Sequence, residues 1–297
     1  MKPVYFERAI FLGWYCSRRD CSFCYMSTIK PGKNALRSKE SVLAEALICK
    51  KMNWKIEFLS AGYNSYSKDK LLDLVKEIYG ITKQKQWLNI GTLTKEELNR
   101  FKPYIEGVSG SVECVNLDIR NKVCPSKPLD EITKMFKDAD ELGLKKAITI
   151  IIGLGETIND FDKLKDFIKK HKIDKIIFYA LNPHENSVFK KGPGKEYYVE
   201  WIRRTRKEFP KLKITAGSWM NRFDEISSFL KYADNITKFP SIKLFNSKYS
   251  KKIIDEVKKS GREFKSNFSY VPDIKVDDIK LERHVKKYIK LMRKEKL

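Results

Sequence analysis

The chain is poor in several features that would indicate common kinds of protein. It has only three histidines, His171, His184 and His284, all far along the chain from its first cysteines. No apolar stretch approaches the roughly 18 residues that a membrane-spanning helix needs. The N-terminus also lacks a cleavable signal pattern. These absences argue against a zinc site completed by a nearby histidine, against a membrane protein and against secretion, so we expect a cytoplasmic protein.

Acidic residues are scarce relative to basic ones. The 297 residues include 38 Asp and Glu against 61 Lys and Arg, which gives a formal net charge of +23. A strongly basic chain is typical of nucleic-acid binding, but no helix-turn-helix, zinc-finger or RNA-binding signature accompanies the lysines, so we do not expect nucleic acid as the partner. Lysine-rich surfaces are also found in proteins of thermophiles. Positive charge would further attract an acidic electron donor.

Short apolar runs alternate with helical patterns, which is typical of a parallel sheet covered by helices. The predicted strands lie near residues 9–14, 56–61, 87–91, 107–112, 147–152, 175–180, 213–216 and 236–238. This order predicts an α/β fold, a (β/α)8 barrel, and the 42% hydrophobic content can fill its core. We divide the chain into a barrel, residues 1–245, and a short, lysine-rich helical C-terminal extension, residues 246–297.

Helix start and stop signals support the order of elements. Ser67 precedes a helical pattern over residues 68–79 that Gly80 would end. Thr94 and Glu97 have the spacing of a capping box, in which each side chain bonds the backbone of the other residue. The sequence therefore predicts helices between the proposed strands.

Three cysteines, Cys16, Cys21 and Cys24, directly follow the first predicted strand in a Cys-x4-Cys-x2-Cys pattern. Thiolates are the standard ligands of iron–sulfur clusters, and a cube of four irons that takes three of them keeps one iron open. Zinc is an alternative, although it prefers four protein ligands in a structural site. A disulfide or inert buried cysteines are further alternatives. We favour the cluster because the loop is polar and because cytosolic thiols are normally kept reduced.

The cysteine loop resembles that of the radical S-adenosylmethionine (SAM) enzymes, in which an aromatic residue, here Phe23, precedes the last cysteine. Those enzymes commonly have three residues between the first two cysteines, where this chain has four. The resemblance implies a radical SAM barrel whose Cys16, Cys21 and Cys24 hold a [4Fe-4S] cluster that binds SAM. It also implies a small acidic electron donor, such as ferredoxin or flavodoxin, and a 5'-deoxyadenosyl radical that takes a hydrogen atom from a small-molecule substrate.

Segments that follow other strands would meet the cysteine loop at one rim, because barrel enzymes place their chemistry after the carboxyl ends of the strands. Asn116-Leu117-Asp118 resembles a ribose-binding stretch of the biotin synthase-like group, and residues 151–157 resemble the segment that borders adenine there. The residues expected to contact SAM are Phe23, Ser60, Ala61, Gly62, Glu113, Asn116, Asp118, Gly153, Leu154 and Gly155. Taken singly, Gly153 and Gly155 also fit a tight turn, and Asn116 also fits a helix cap.

The substrate would contact the remaining loops of the same rim. The candidates are Tyr63, Asn182, His184, Trp219, Asn221 and Arg222. His184 would donate a proton or hydrogen bond, and Arg222 would pair with a substrate carboxylate. The position of Trp219 is equally consistent with packing inside the protein and with stacking on the substrate. Two further cysteines, Cys114 and Cys124, flank the ribose segment, and their role is left open.

Within the biotin synthase-like group, the cysteine gap most resembles proteins called HmdB or HcgA, which are associated with assembly of the iron-guanylylpyridinol cofactor of [Fe]-hydrogenase in methanogens. That resemblance implies a role in forming the pyridinol ring. Another biotin synthase-like reaction, such as sulfur insertion, a mutase reaction or hydrogenase maturation, is an alternative. So are an RNA-modifying radical SAM enzyme and a non-catalytic zinc-binding module.

Overall fold

Eight parallel strands close into a barrel in which each strand pairs with the next one along the chain. This computed structural model describes residues 2–294, apart from residues 31, 33 and 34. The barrel strands are β2 (Phe6–Phe11), β3 (Lys55–Ser60), β4 (Gln86–Asn89), β5 (Ile105–Glu113), β6 (Lys145–Ile152), β7 (Lys175–Ala180), β8 (Lys213–Gly217) and β9 (Asn235–Thr237). Pairing of Phe6 with Ile236 closes the ring. The predicted (β/α)8 barrel is confirmed.

Helices cover the outside of the barrel. They are α1 (Lys39–Lys51), α2 (Lys68–Thr82), α3 (Lys95–Phe101), α4 (Leu117–Val123), α5 (Leu129–Glu141), α6 (Phe161–His171), α7 (Lys195–Glu208), α8 (Ile226–Phe229), α9 (Lys248–Lys259) and α10 (Ile279–Arg293). The predicted capping box of Thr94 and Glu97 opens α3. Within the described residues, no helix is both long enough and apolar enough to cross a membrane.

The first barrel strand begins earlier than predicted, at Phe6 instead of residue 9, and ends at Phe11. The prediction was wrong here because it followed the apolar run that begins at residue 9, whereas the strand also includes the charged residues Glu7 and Arg8. Both are held inside by ion pairs, Glu7 with Lys175 at 2.6 Å and Arg8 with Glu45 at 2.5 Å. The other predicted strands lie within about two residues of the observed ones.

Helix α2 continues past the glycine that was expected to end it. Gly80 lies inside the helix, where an added Cβ atom would meet open space. The helix ends instead at Thr82, followed by Lys83 in the left-handed conformation with φ of 57°. Gly80 is therefore tolerated within the helix, and the left-handed conformation of Lys83 ends it.

Two short strands outside the barrel join the two ends of the described chain. β1 (Pro3–Val4) pairs in parallel with β10 (Glu263–Phe264), a pairing that the sequence did not predict. Near β10, the ring of Phe268 packs against that of Phe6, with 5.3 Å between their centroids. The C-terminal segment thus contributes to the core under the first barrel strand, and its separation as a unit at residue 246 stays a prediction.

Candidate active site

A cavity of about 240 Å³ lies at the carboxyl ends of the barrel strands. Its wall combines aromatic, polar and sulfur-containing side chains. The strand ends and the loops that follow them contribute, among others, Phe11, Ser60, Asn89, Glu113, Ala180 and Trp219. Barrel enzymes carry their active sites at this end, so the cavity is the candidate active site.

The loop after β2 brings Cys16, Cys21 and Cys24 to the wall of the cavity. Backbone hydrogen bonds tie this loop to two neighbouring segments. The amide of Ser17 donates to the carbonyl of Tyr63 at 3.0 Å, and the amide of Ser22 donates to the carbonyl of Val123 at 2.9 Å. The loop is therefore held from the side of β3 and from the side of α4.

The charged residues of the cysteine loop serve to anchor it. The guanidinium of Arg18 pairs with Glu131 at 2.5 Å and lies 4.0 Å from the centre of the Tyr63 ring. The carboxylate of Asp20 accepts a hydrogen bond from the amide of Ser126 at 2.8 Å. These contacts explain why a loop with three cysteines is also rich in charge.

The environment of the loop disfavours bare thiolates. The pKa of the Cys21 thiol is raised, first by a hydrogen bond with the Cys124 thiol and then by burial. Burial also raises the pKa of Cys24. Metal binding requires the deprotonated form, and the positive charge of iron would stabilise it. A set of three partly enclosed sulfur donors therefore fits an iron–sulfur cluster.

The three thiols are spread along the cavity wall. Among the described residues, no group of three or more His, Cys, Asp or Glu side chains is placed to hold one metal ion. In a [4Fe-4S] cluster each protein thiolate binds a different iron atom, so its ligands surround the cluster and do not converge on one point. The spread of the thiols is compatible with that arrangement.

Gly62 is required by the path of the cysteine loop. A Cβ atom at this position would lie 2.2 Å from the carbonyl oxygen of Tyr15 and 2.6 Å from Cα of Cys16. Gly62 and its neighbours Ser60 and Ala61 all line the cavity, and their contact with SAM stays a prediction. The absence of a side chain at Gly62 allows the backbone of the cysteine loop to approach it closely.

Glu113 lies on the cavity wall in an ion pair that the sequence did not indicate. Its carboxylate is 3.2 Å from Nζ of Lys127 and accepts a hydrogen bond from Thr149. Glu113 has a φ of 62°, which is uncommon for a residue with a side chain. Lys127 also lies 5.9 Å from the centre of the Phe23 ring. Although burial opposes it, the charge of Glu113 helps to hold the pKa of Lys127 above its ordinary value.

Asn116 and Asp118 do not line the cavity. The side chain of Asn116 caps α4 by accepting hydrogen bonds from the amides of Asp118 and Ile119, and it donates to Asp160 at 2.9 Å. Asp118 is exposed in the first turn of α4. The structure therefore shows a capping role for Asn116, and the ribose contacts stay a prediction.

The segment after β6 forms a tight turn next to the site. Gly153 and Gly155 have φ values of 110° and 120°, which favour glycine. The Glu156 carboxylate accepts hydrogen bonds from the amides of Gly153 and Leu154. Leu154 is buried with Cys21 in an apolar cluster that supports the cysteine loop. None of these glycines lines the cavity, so their contact with SAM stays a prediction.

The six predicted substrate residues divide into two groups. Tyr63, Asn182 and Trp219 line the cavity, whereas His184, Asn221 and Arg222 do not. Arg222 is paired with Glu225 at 2.9 Å and donates to the carbonyl of Pro193 at 2.8 Å. Its guanidinium is thus engaged in holding two loops together. The structure brings the first three residues to the site and leaves the others outside its wall.

Several residues of the wall were missed by the sequence analysis. Tyr179 lines the cavity and donates a hydrogen bond at 2.7 Å to Glu57, which is fully buried beneath it. Glu57 also accepts a hydrogen bond from Thr237 at 2.9 Å. Lys238 follows β9 and lines the cavity as well. Lys238 was placed at the end of the last predicted strand but was not distinguished from the other lysines of the chain.

Residues 13–168 match the Radical SAM superfamily. The chain belongs to this superfamily. It is 41% identical over 274 residues to the uncharacterized protein MJ0597 of Methanocaldococcus jannaschii. The aligned segment covers 90% of this chain and 76% of that protein. It is 28% identical over 169 residues to a biotin synthase of Methanococcus maripaludis. This aligned segment covers 55% of this chain and 51% of the synthase. The chain thus spans about half the length of the biotin synthase that it matches.

Solved structures with other sequences share the radical SAM barrel. Methylornithine synthase (PylB) superposes with a TM-score of 0.72 at 15% identity, over 88% of this chain and 83% of that one. The FeFe-hydrogenase maturase HydG from Carboxydothermus hydrogenoformans superposes with a TM-score of 0.65 at 19% identity, over 97% of this chain and 66% of that one. At such low identities the likeness concerns the fold.

Membership of the superfamily identifies the chain as a radical SAM enzyme with a [4Fe-4S] cluster and SAM as its cofactors. The three thiols on the cavity wall are suited to that cluster.

Proposed function

We propose that this radical SAM enzyme removes a hydrogen atom from a small molecule bound in the barrel cavity. When bound, the cluster and SAM supply the 5'-deoxyadenosyl radical for this step. The observation that carries the proposal is that Cys16, Cys21 and Cys24 line the same cavity as polar and aromatic side chains from the other strands. The cavity lies within the ring of barrel strands and combines aromatic side chains with a few polar ones, which favours a small molecule as the substrate.

The roles that we propose for individual residues follow their place on the wall. Cys16, Cys21 and Cys24 hold the cluster, and Phe23 lines the cavity beside them. Ser60, Ala61 and Glu113 contact SAM, while Tyr63, Asn182 and Trp219 contact the substrate. Enclosure between the strands limits the access of water to reactive intermediates.

The reaction requires an electron, and we propose that a small acidic protein such as ferredoxin or flavodoxin delivers it in the cytoplasm. The formal net charge of +23 supports this partner, because opposite charges accelerate association. Arg19 and Lys30 are exposed on and next to the cysteine loop. They would lie close to a donor that docks near the cluster.

The pathway that we propose is assembly of the iron-guanylylpyridinol cofactor of [Fe]-hydrogenase, with formation of the pyridinol ring as the step. The Cys-x4-Cys-x2-Cys spacing supports it, as do relatives in Methanocaldococcus and Methanococcus. Deletion of the gene should abolish the cofactor and [Fe]-hydrogenase activity, measured in cell extract. If the organism that encodes the chain lacks [Fe]-hydrogenase, this pathway is wrong while the radical chemistry stands.

The chemistry is tested by anaerobic reconstitution with iron and sulfide, followed by dithionite and SAM. We expect 5'-deoxyadenosine, detected by chromatography, and its loss in Cys21→Ala. Cys49→Ala is the matched control, because Cys49 is buried in α1 and does not line the cavity. A protein that binds zinc and leaves SAM intact would contradict the proposal, as would equal activity of the two variants.

A further inference from the structure

Lys238 is a cation of the cavity wall that no acidic side chain neutralises by contact. Its side chain is half-buried and directly follows β9. Its ammonium lies 4.3 Å from the centre of the Tyr179 ring and 5.7 Å from that of Phe11. In the part of the chain that the structure describes, this ammonium makes no ion pair and no hydrogen bond. A partly desolvated cation without a counter-charge is costly unless a ligand supplies one.

The other charged side chains of the wall compensate each other. Among the described residues of the wall, the carboxylate and ammonium groups are those of Glu113, Lys127 and Lys238. Glu113 and Lys127 form a pair at 3.2 Å. Of these three side chains, Lys238 is the one whose charge has no partner among them.

The backbone at Lys238 is also unusual. Its φ is 71°, in the left-handed region that side chains other than glycine, asparagine and aspartate seldom adopt. Residues held in such conformations cluster at binding and catalytic sites, where the surrounding structure enforces them. Lys238 thus combines a strained backbone with an uncompensated charge at the carboxyl end of a barrel strand.

Glu57 is the acidic group that could otherwise explain Lys238. It is fully buried, and its oxygens accept hydrogen bonds from Tyr179 and Thr237 instead of contacting the ammonium. Burial raises the pKa of Glu57, although Lys238 acts in the opposite direction. The two carboxylate oxygens of Glu57 are thus engaged by Tyr179 and Thr237, and neither contacts the ammonium of Lys238.

We propose that Lys238 binds a carboxylate of the substrate, whose apolar or aromatic body lies against the rings of Phe11, Tyr179 and Trp219. This rests on the proposed function in one respect, that the cavity is the substrate site. A single positive charge suits a monocarboxylate, whereas a phosphate monoester with its charge of about −1.5 to −2 calls for more cations. The structure thus assigns the substrate to the class of small monocarboxylic acids.

The test uses 4-fluorobenzoate as a probe of the anaerobically reconstituted protein, with dissociation constants measured by fluorine NMR. We expect wild type to bind it more tightly than the neutral 4-fluorobenzamide and not to lose it to inorganic phosphate. Lys238→Met should weaken binding about tenfold or more, the scale of a lost hydrogen bond to a charged group. Lys238→Arg should largely restore it. Lys231→Met, which removes an exposed lysine outside the cavity, is the matched control.

Several outcomes would overturn the proposal. Equal affinity for benzoate and benzamide, or displacement of benzoate by phosphate, would exclude a carboxylate site. Displacement by SAM would show that Lys238 serves the carboxylate of SAM. If Lys238→Met unfolds and a second change, Glu57→Gln, restores folding, the lysine is a structural counter-charge. Probe binding requires no SAM cleavage, so a negative result here leaves Cys21-dependent formation of 5'-deoxyadenosine as a separate finding.

Discussion

The amino ends of the barrel strands form the lower end of the barrel, and their carboxyl ends form the upper end. Both ends bury charged side chains, but they differ in how fully those charges are paired. At the amino ends of the strands, Glu7 contacts Lys175 and Asn235, each at 2.6 Å. At the carboxyl ends, Lys238 has no acidic contact among the described residues, and Cys16, Cys21 and Cys24 form no disulfide with one another. The Glu7–Lys175 pair at the lower end holds two strands together. The upper end also contains a buried pair, Glu113 with Lys127, but there the ammonium of Lys238 has no acidic partner in the described part of the chain and is available to a ligand.

The largest expected effect on activity among these changes comes from a substitution at the upper end of the barrel. Gly62→Ala places a Cβ atom within 2.6 Å of Cα of Cys16, so the cysteine loop has to shift. Misplacement of a reacting group by about 1 Å costs about 100-fold in rate, and we expect that loss in 5'-deoxyadenosine formation, with little change in the urea midpoint. Gly80→Ala, which meets open space in α2, is the control. Normal activity of Gly62→Ala would contradict the account of this glycine.

The converse change harms the lower end alone. Lys175→Met leaves Glu7 buried with its main partner removed, and breaking a buried ion pair in this way costs about 3–5 kcal/mol of unfolding free energy. SAM cleavage per folded molecule should change little, because Lys175 does not line the cavity. Lys213→Met is the control, since its ammonium is half-exposed and 3.8 Å from Glu7. If both variants lose the same stability, the Glu7–Lys175 pair is not the important contact.

The smallest expected effect is an opposite dependence of stability on pH at the two carboxyl groups. Although burial opposes it, Lys175 and Lys213 lower the pKa of Glu7 in the folded protein from its ordinary value of 4.5. Glu7 therefore contributes to the free energy of unfolding above pH 4.5, and this contribution is lost as the pH falls through the pKa of the folded state. Burial raises the pKa of Glu57 in the folded protein from 4.5. The contribution of Glu57 to the free energy of unfolding is therefore present below pH 4.5 and is lost as the pH rises through the pKa of the folded state. Each slope is at most about 1.4 kcal/mol per pH unit, because one proton is involved.

Urea unfolding across this pH range, with and without each carboxyl group, measures the two slopes. Glu7→Gln should make the loss of stability toward acid less steep, and Glu57→Gln should make the loss toward higher pH less steep. Slopes of the same sign for the two variants would contradict the contrast between the ends of the barrel.

The elements with strong local patterns were predictable from the sequence. The strand Lys175–Ala180 was predicted with its observed bounds, because its run of apolar residues is buried throughout. The start of β2 was missed because Glu7 resembles a surface residue until its partner on β7 is known. The pairing of β1 with β10 was missed because two-residue strands have no periodicity, and their partners are far apart in the sequence.

The candidate site was predictable only in part, for a related reason. The cysteines were recognised because their type and spacing are rare. Lys127 and Lys238 were not, because the chain has 61 Lys and Arg and a functional lysine resembles the others. Asn116 was assigned to ribose, but an asparagine before a helix is also a good cap, and the contacts that decide between the two roles are visible only in the folded chain.

The contact between β1 and β10 has a consequence for how the protein is made. Residues near the start of the chain pair with residues 263 and 264, and the barrel itself closes through strands that begin at Phe6 and end at Thr237. During synthesis the ribosome has to release nearly the whole chain before these partners meet, and such long-range pairing slows folding. The cysteines at positions 16–24 are therefore synthesised well before the strand that closes the barrel around their loop. We expect the cluster to be inserted only after the barrel has closed.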